Sequence, residues 1–302
     1  MTSLHLFTPA GVLLKAAPLR LAAKRLKRLG FDVTIDEAAL VKHQRFAGDD
    51  ATRLAAIHRV AEAAPSIAMA TRGGYGMTRL LDAIDWKLIA RSVEQGTRWV
   101  GHSDITALHL GLLAHAKGIT WAGPLACEDF GREVVDDITE PCFIEAMTGE
   151  LEAVGFKTEA GFDALEARGT LWGGNLSIVM SLLGTKHWPA RRFVKGGILF
   201  LEDVNEQPYC VERCLLQLHQ AGVLDAQKAV VLGEFTVYRK SPMDRGFSLK
   251  TVVAHLRSLT KTPILTGLPF GHVPTKVSLP VGAAVDLFVQ GRDVLIAWPH
   301  AH

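Results

Sequence analysis

Short apolar runs alternate with amphipathic helical segments through the first 117 residues, and this alternation restricts the fold more than any other feature. Apolar runs that predict strands occupy residues 4–8, 31–35, 66–71 and 98–101. Helical patterns cover residues 18–29, 49–64, 77–84 and 104–117. Strands separated by such helices pair in parallel, and a parallel sheet is covered by helices on both faces. The first half therefore predicts an α/β domain built on a parallel sheet.

The pattern changes after residue 150, where a less periodic stretch predicts a junction between two domains. Beyond it, strands are predicted at 196–201, 229–232, 284–289 and 294–298, and helices at 209–221 and 249–259. We therefore divide the chain into an N-terminal domain (1–155), a linker (156–164) and a smaller C-terminal α/β or α+β domain (165–302). The length of 302 residues agrees with two domains, because single cores rarely grow beyond about 250–300 residues.

Charge and hydropathy exclude several classes of partner. The chain has 33 basic and 31 acidic residues and a net charge of +2, a balance that gives no reason to expect nucleic acid or a membrane surface as the main partner. No apolar window reaches the roughly 18–20 residues of a membrane span. The first apolar run lacks a basic start and is interrupted by Pro9 and Gly11, unlike a secretory signal. We expect a cytoplasmic protein that binds neither nucleic acid nor membrane.

The four cysteines predict no disulfide framework. They stand at Cys127, Cys142, Cys210 and Cys214, without a Cys-x-x-Cys pair or zinc-ligand spacing. Cys210 and Cys214 are four residues apart on a predicted helix, where packing and a metal site are the alternatives. No His-Glu-x-x-His motif occurs. We expect reduced thiols, no metal and no cofactor.

Two strand-to-helix turns carry residues suited to chemistry: Arg72-Gly73-Gly74-Tyr75-Gly76 and Gly101-His102-Ser103-Asp104. In a parallel sheet both turns lie at the carboxyl edge, where α/β folds bind ligands. The backbone N–H groups of the glycine-rich turn suit a phosphate or an oxyanion, and a tight turn that needs positive φ is the alternative. Ser103, at a helix start, is either a nucleophile or a helix N-cap. His102 is expected to project to the other side of its turn.

A serine nucleophile needs a base and an acceptor that orients the base. Among twelve histidines, His272 lies in a loop bracketed by proline and glycine, which fixes its side chain. Glu202 stands at the end of the apolar strand predicted at 196–201 and is the candidate acceptor. A structural loop histidine and an ordinary solvated strand end are the alternatives for these two residues.

Five segments follow one another along the chain and together resemble one known family. They are Arg72-Gly73-Gly74-Tyr75-Gly76, Gly101-His102-Ser103-Asp104, Thr170-Leu171-Trp172-Gly173-Gly174-Asn175-Leu176, Leu201-Glu202-Asp203-Val204-Asn205-Glu206 and Phe270-Gly271-His272. In these segments the chain resembles the L,D-carboxypeptidases, specifically the cytoplasmic murein tetrapeptide carboxypeptidases. The resemblance implies a triad with Ser103 as nucleophile, His272 as general base and Glu202 as the acid.

The same resemblance implies a fold, a reaction and further site residues. The fold is an N-terminal domain resembling class I glutamine amidotransferases, followed by a swivelling β/β/α domain. The reaction releases the terminal D-alanine of L-Ala-D-Glu-meso-diaminopimelate-D-Ala in peptidoglycan recycling, through an acyl-enzyme. The N–H groups of Gly74 and Asp104 would bind the oxyanion, while Arg72, Trp172 and Asn175 would border the substrate pocket. Relatives of this kind suggest a homodimer.

Two other functions remain open on the sequence. One is a peptidase or deacylase of the same fold that acts on antibiotic peptide-nucleotides, as microcin-immunity proteins do. The other is a non-catalytic binder that holds an anion at the loop 73–76. A glutamine amidotransferase is disfavoured, because its elbow needs cysteine where Ser103 stands.

Overall fold

Two β-sheets organise the computed structural model, which describes residues 1–298. The strands of the first half are β1 (Thr2–Phe7), β2 (Phe31–Ile35), β3 (Ile67–Ala70), β4 (Arg98–Gly101) and β5 (Thr120–Ala122). Its helices are α1 (Ala17–Arg28), α2 (Asp50–Ala63), α3 (Trp86–Glu94), α4 (Thr106–His115) and α5 (Thr139–Thr148). Short 3₁₀-helices lie at Met77–Arg79 and Ser103–Ile105, and a π-helix lies at Ala126–Phe130.

The described residues of the second half contribute eight more strands. They are β6 (Ala153–Lys157), β7 (Glu166–Asn175), β8 (Ile198–Val204), β9 (Ala229–Thr236), β10 (Ile264–Thr266), β11 (Leu279–Val281), β12 (Ala284–Gln290) and β13 (Asp293–Ala297). The helices are α6 (Leu176–Leu182), α7 (Arg191–Val194), α8 (Pro208–Gln220) and α9 (Leu249–Leu259), with a 3₁₀-helix at Pro242–Asp244.

Strand order confirms the predicted α/β class. The first sheet runs β11-β5-β4-β3-β1-β2, and its strands are parallel except β11. All four residues of β3 are buried, as expected for a parallel strand covered on both faces. The second sheet runs β10-β9-β8-β7-β12-β13-β6, with β7 to β10 parallel and the rest antiparallel. Within residues 1–298 no helix has the length and apolarity to cross a membrane.

The two sheets exchange segments near the predicted domain boundary. That boundary, at residue 155, falls inside β6, which pairs along its whole length with β13 of the second sheet. The strand β11 comes from the C-terminal half and pairs with β5 of the first sheet. The second sheet therefore begins before the predicted linker, and the chain later returns to the first sheet.

The predicted helix at 77–84 is wrong beyond its first turn. The structure has a 3₁₀-helix at Met77–Arg79, followed by turns, and then α3, which the sequence did not predict. The Asp104 carboxylate accepts a hydrogen bond from the Met77 N–H at 2.8 Å and so holds the start of this segment to the neighbouring turn. The helix α3 begins after Asp85, whose carboxylate accepts from two backbone N–H groups of its first turn.

Candidate active site

The two turns chosen from the sequence lie side by side at the carboxyl edge of the first sheet. They follow β3 and β4, which are adjacent and parallel. The backbone of Gly73 is close to the second turn: a Cβ built on it would lie 2.7 Å from the Ser103 Oγ and 3.4 Å from the Asp104 nitrogen. The glycine-rich turn therefore packs directly against the predicted nucleophile.

Ser103 occupies a strained position between a strand and a helix. Its φ is 64°, in the left-handed region that serine rarely adopts, and such backbone strain costs about 1–3 kcal/mol. The hydroxyl makes no N-cap hydrogen bond to the helix that follows. Strained strand-to-helix turns of this kind present a serine Oγ above the end of the sheet. The geometry thus favours the nucleophile over the N-cap.

Ser103, His272 and Glu202 form one hydrogen-bonded chain. The Ser103 Oγ lies 3.0 Å from His272 Nε2, and His272 Nδ1 lies 2.7 Å from Glu202 Oε2. An ionised carboxylate only accepts hydrogen bonds, so Nδ1 carries the proton and Nε2 is free to accept from the serine. Glu202 is fully buried in β8, and His272 lies in the loop between β10 and β11. This is the arrangement of nucleophile, base and orienting acid.

Electrostatics at His272 suit a general base held by a carboxylate. Burial disfavours the charged imidazolium, but the hydrogen bond and charge of Glu202 outweigh it, so the pKa of His272 is raised above its ordinary 6.5. The loop that carries His272 is itself fixed, because the buried Lys276 donates to Asp129 on the π-helix and to the Val273 carbonyl.

Two family models cover most of the chain. Residues 4–123 match the model described as the LD-carboxypeptidase N-terminal domain, and residues 168–287 match the model described as the LD-carboxypeptidase C-terminal domain. The chain belongs to the LD-carboxypeptidase family. The resemblance seen in the five sequence segments is thereby confirmed.

Individual relatives agree with this assignment. The probable murein peptide carboxypeptidase of Bacillus subtilis (strain 168) is 30% identical over 295 residues, which cover 95% of this chain and 90% of the relative. The crystal structure of muramoyltetrapeptide carboxypeptidase from Oxalobacter formigenes matches 100% of both chains with a TM-score of 0.89 and 35% identity. The structure of MccF in complex with glutamyl sulfamoyl guanosine covers 100% of this chain and 97% of its own, with a TM-score of 0.87 and 20% identity. At 20% identity this last match shows the fold alone.

In this LD-carboxypeptidase, Asn175 holds the carboxylate of Glu202 in place. Its Nδ2 donates to Glu202 Oε1 at 3.2 Å and to Asp203 Oδ1 at 2.9 Å, while its Oδ1 accepts from the Ile178 N–H. The parallel register of β7 and β8 sets Asn175 opposite Glu202. The side chain is buried, so the structure places it behind the carboxylate, although the sequence assigned it to the substrate pocket.

The predicted oxyanion donors are Asp104, which follows Ser103 directly, and Gly74, which follows the Gly73 backbone that packs against Ser103, and their role remains a prediction. The loop that contains Gly74 is anchored by a hydrogen bond from the Gly11 N–H to the Gly73 carbonyl at 2.9 Å. The Asp104 carboxylate binds the Met77 N–H at the other end of that loop. Burial raises the pKa of Asp104 to about 6, although the hydrogen bonds from the backbone of Met77 and Gly76 lower it. Asp104 therefore ties the serine turn to the glycine-rich turn.

Two expectations about side chains were wrong. Trp172, predicted to border the pocket, is fully buried, donates from Nε1 to Gln227 Oε1 at 3.0 Å and packs edge-on against Trp188. His102, expected to project away, packs against the His272 ring with a centroid distance of 5.1 Å. Its Nδ1 donates to the Gly123 carbonyl at 2.9 Å. Burial lowers the pKa of His102 well below 6.5, so a neutral imidazole packs against His272.

Arg72, the first residue of the glycine-rich turn, pairs with a residue that the sequence did not single out. Its Nη1 donates to the Val12 carbonyl at 2.8 Å, and its Nε lies 3.4 Å from Glu128 Oε1 on the π-helix.

Within residues 1–298 no group of three or more His, Cys, Asp and Glu side chains is arranged to hold a metal ion. Burial raises the pKa of the Cys127 thiol to about 12.

Replacing Gly73 with alanine tests the close approach of the two turns. The new Cβ would lie 2.6 Å from the Ser103 Cβ, so the serine or the loop must move. Displacement of a reacting group by about 1 Å can lower a rate by roughly 10²-fold, and we expect a loss of that size in kcat/KM. Gly155→Ala is the matched control, because its Cβ would meet only one atom, at 3.7 Å. Equal activities of the two variants would contradict the contact.

Proposed function

We propose that this protein is a serine-type carboxypeptidase that releases the terminal D-alanine from the murein tetrapeptide L-Ala-D-Glu-meso-diaminopimelate-D-Ala. The observation that carries the proposal is the hydrogen-bonded chain Ser103–His272–Glu202. Its support is membership of the LD-carboxypeptidase family, which includes relatives named as murein peptide carboxypeptidases. Ser103 follows a strand of the first sheet, whereas Glu202 and His272 come from the second half. Neither half should act alone.

The first half of the reaction forms an acyl-enzyme. His272 Nε2 accepts the proton of the Ser103 hydroxyl as Oγ attacks the carbonyl carbon of the diaminopimelate–D-alanine amide. Glu202 keeps the Nδ1 proton in place and stabilises the imidazolium that forms. The tetrahedral oxyanion accepts hydrogen bonds from the N–H groups of Asp104 and Gly74, and one such donor is typically worth about 10²–10³ in rate.

The second half of the reaction returns the enzyme to its starting state. The C–N bond breaks, and His272 Nε2 gives its proton to the departing amine of D-alanine. Water then attacks the ester, with His272 accepting its proton and returning it to Ser103 Oγ. The products are the tripeptide with a free carboxylate and free D-alanine, so the reaction needs no cofactor.

The setting of this reaction is part of the proposal. We place the activity in peptidoglycan recycling in the cytoplasm and the protein in a homodimer. Support for the compartment comes from the cysteines, which are unpaired in the described structure, because secreted proteins of this size often carry disulfides. Sedimentation of the purified chain would test the dimer.

Amino-acid release from defined peptides tests the proposal directly. We expect D-alanine from the tetrapeptide and none from the tripeptide, which lacks it, or from the pentapeptide, whose last bond joins two D residues. The same preparation is given an aminoacyl-nucleotide analogue and a serine-directed phosphonate. Hydrolysis of the nucleotide without D-alanine release would favour the immunity-type function. Peptide binding with neither turnover nor a phosphonate adduct on Ser103 would favour the non-catalytic binder.

A further inference from the structure

Arg72 and Glu128 form an isolated pair of opposite charges beside the active site. Arg72 follows β3, and Glu128 lies on the π-helix that is hydrogen-bonded to the same strand end through the Cys127 N–H and the Thr71 carbonyl. The Nε of Arg72 is 3.4 Å from Glu128 Oε1, and each side chain keeps 34% of its surface exposed. The pair is therefore fixed at its base and open to a ligand.

Two observations place this pair next to the reacting atoms. Arg72 precedes Gly73, whose backbone packs against the Ser103 side chain. On the other side, the negative charge of Glu128 acts on the His272 ring, where it raises the pKa together with Glu202 and against the effect of burial. A substrate bound across Ser103 and His272 thus passes the Arg72–Glu128 pair.

The Arg72 guanidinium is held in place by the protein but does not use all of its hydrogen-bond donors. Its Nη1 donates to the Val12 carbonyl at 2.8 Å, which fixes the plane of the group. Its Nε is buried beside Glu128 Oε1, at 3.4 Å and without hydrogen-bond geometry, so this atom is closed to a ligand. Within residues 1–298 the Nη2 group of Arg72 donates no hydrogen bond, so it keeps donor capacity for a carboxylate, and the partly exposed Glu128 keeps acceptor capacity for an ammonium group.

A fixed pair of this kind selects for a ligand that carries both charges. A lone carboxylate at Arg72 would meet the repulsion of Glu128, and a lone ammonium at Glu128 would meet that of Arg72. A free amino-acid head group has an ammonium and a carboxylate on one carbon and satisfies both residues at once. In the tetrapeptide of the proposed function, the only such group on the acyl side is the D-centre of meso-diaminopimelate.

We propose that Arg72 and Glu128 bind the zwitterionic end of the diaminopimelate side chain, Arg72 through its carboxylate and Glu128 through its ammonium group. The inference rests on the proposed function. The D-centre lies four C–C bonds from the L-centre that carries the scissile carbonyl, a reach of roughly 5 Å in the extended chain. A pair adjoining the Ser103 turn fits this short reach. The site would thus select diaminopimelate over lysine, which has the ammonium group but no second carboxylate.

Two tetrapeptides that differ only in their third residue, meso-diaminopimelate or L-lysine, test this assignment. For Arg72→Gln we expect kcat/KM to fall about 10–100-fold on the diaminopimelate peptide, as for loss of a charged hydrogen bond, and less than about threefold on the lysine peptide. For Glu128→Gln we expect kcat/KM to fall on both peptides, because both carry the ammonium group. Arg79→Gln, an exposed arginine paired with Asp50, is the matched control and should change neither.

The outcomes separate this inference from the proposed function. If Arg72→Gln lowers kcat/KM equally on both peptides, Arg72 binds the D-alanine carboxylate or only holds its loop, and the inference is overturned while the function stands. If the wild type releases D-alanine from neither peptide, both fail. Melting temperatures identify a variant that is misfolded, and Arg72→Lys then replaces Arg72→Gln: it keeps the charge and should retain the preference for diaminopimelate.

Discussion

The variant Ser103→Ala should lose at least about 10⁴-fold of its D-alanine-releasing activity. Without the nucleophile, the enzyme retains only the rate enhancement that the oxyanion donors and substrate binding supply. The reason is local: the Ser103 Oγ is the atom that His272 Nε2 contacts, at 3.0 Å, and the helix start uses no other property of the serine. Initial rates of D-alanine release from the tetrapeptide measure the effect.

The fold should survive this substitution. Alanine removes one hydroxyl, and its Cβ occupies the position that the serine Cβ already holds at a φ of 64°. Ser181→Ala, on the exposed face of α6, is the matched control and should keep wild-type activity. A melting temperature close to wild type for both variants is expected. Activity of Ser103→Ala within tenfold of wild type would refute the role of Ser103 as nucleophile.

The strand-helix alternation was sufficient to predict where Ser103 lies. The predicted strands at 66–71 and 98–101 match β3 and β4, and the parallel order of the sheet brings their turns together. The apolar positions of residues 77–84 are buried as a helix would require, yet the helix is absent. The start of this segment is held by Asp104, 27 residues away, and such a contact has no signature in local periodicity.

The rest of the site depends on long-range geometry. Ser103 and His272 are 169 residues apart, and only the family resemblance joined them with Glu202 before the structure did. The role of Asn175 follows from the register of β7 against β8, which sequence cannot supply. Trp172 was misplaced because β7 is buried on both faces from Leu171 to Asn175, so no side of the strand there faces a pocket. His102 was misplaced because its ring is held by the Gly123 carbonyl, 21 residues away, a contact that the local sequence does not reveal.

Replacing Glu202 with glutamine should lower kcat by about 10⁴-fold, through the tautomer of His272. Asn175 Nδ2 donates to the Oε1 position, so the glutamine oxygen is drawn there and its NH₂ group faces His272 Nδ1. A donor at Nδ1 favours the tautomer with the proton on Nε2, which cannot accept from Ser103. Because glutamine is nearly isosteric and uncharged in this fully buried site, we expect the variant to fold. Glu206→Gln, in the segment that follows β8, is the matched control and should retain activity.

The pH dependence of the residual activity separates this explanation from a simple loss of packing. The base must be neutral, so activity rises as pH increases through the pKa of His272, and in the wild type that pKa lies above 6.5. Without the charge of Glu202, burial is opposed only by the weaker, more distant carboxylates, so the pKa falls and the acidic limb of kcat/KM moves to lower pH. A structural defect would lower the rate at every pH and leave the limb in place. An unshifted limb, with a loss below tenfold, would show that Glu202 does not act on His272.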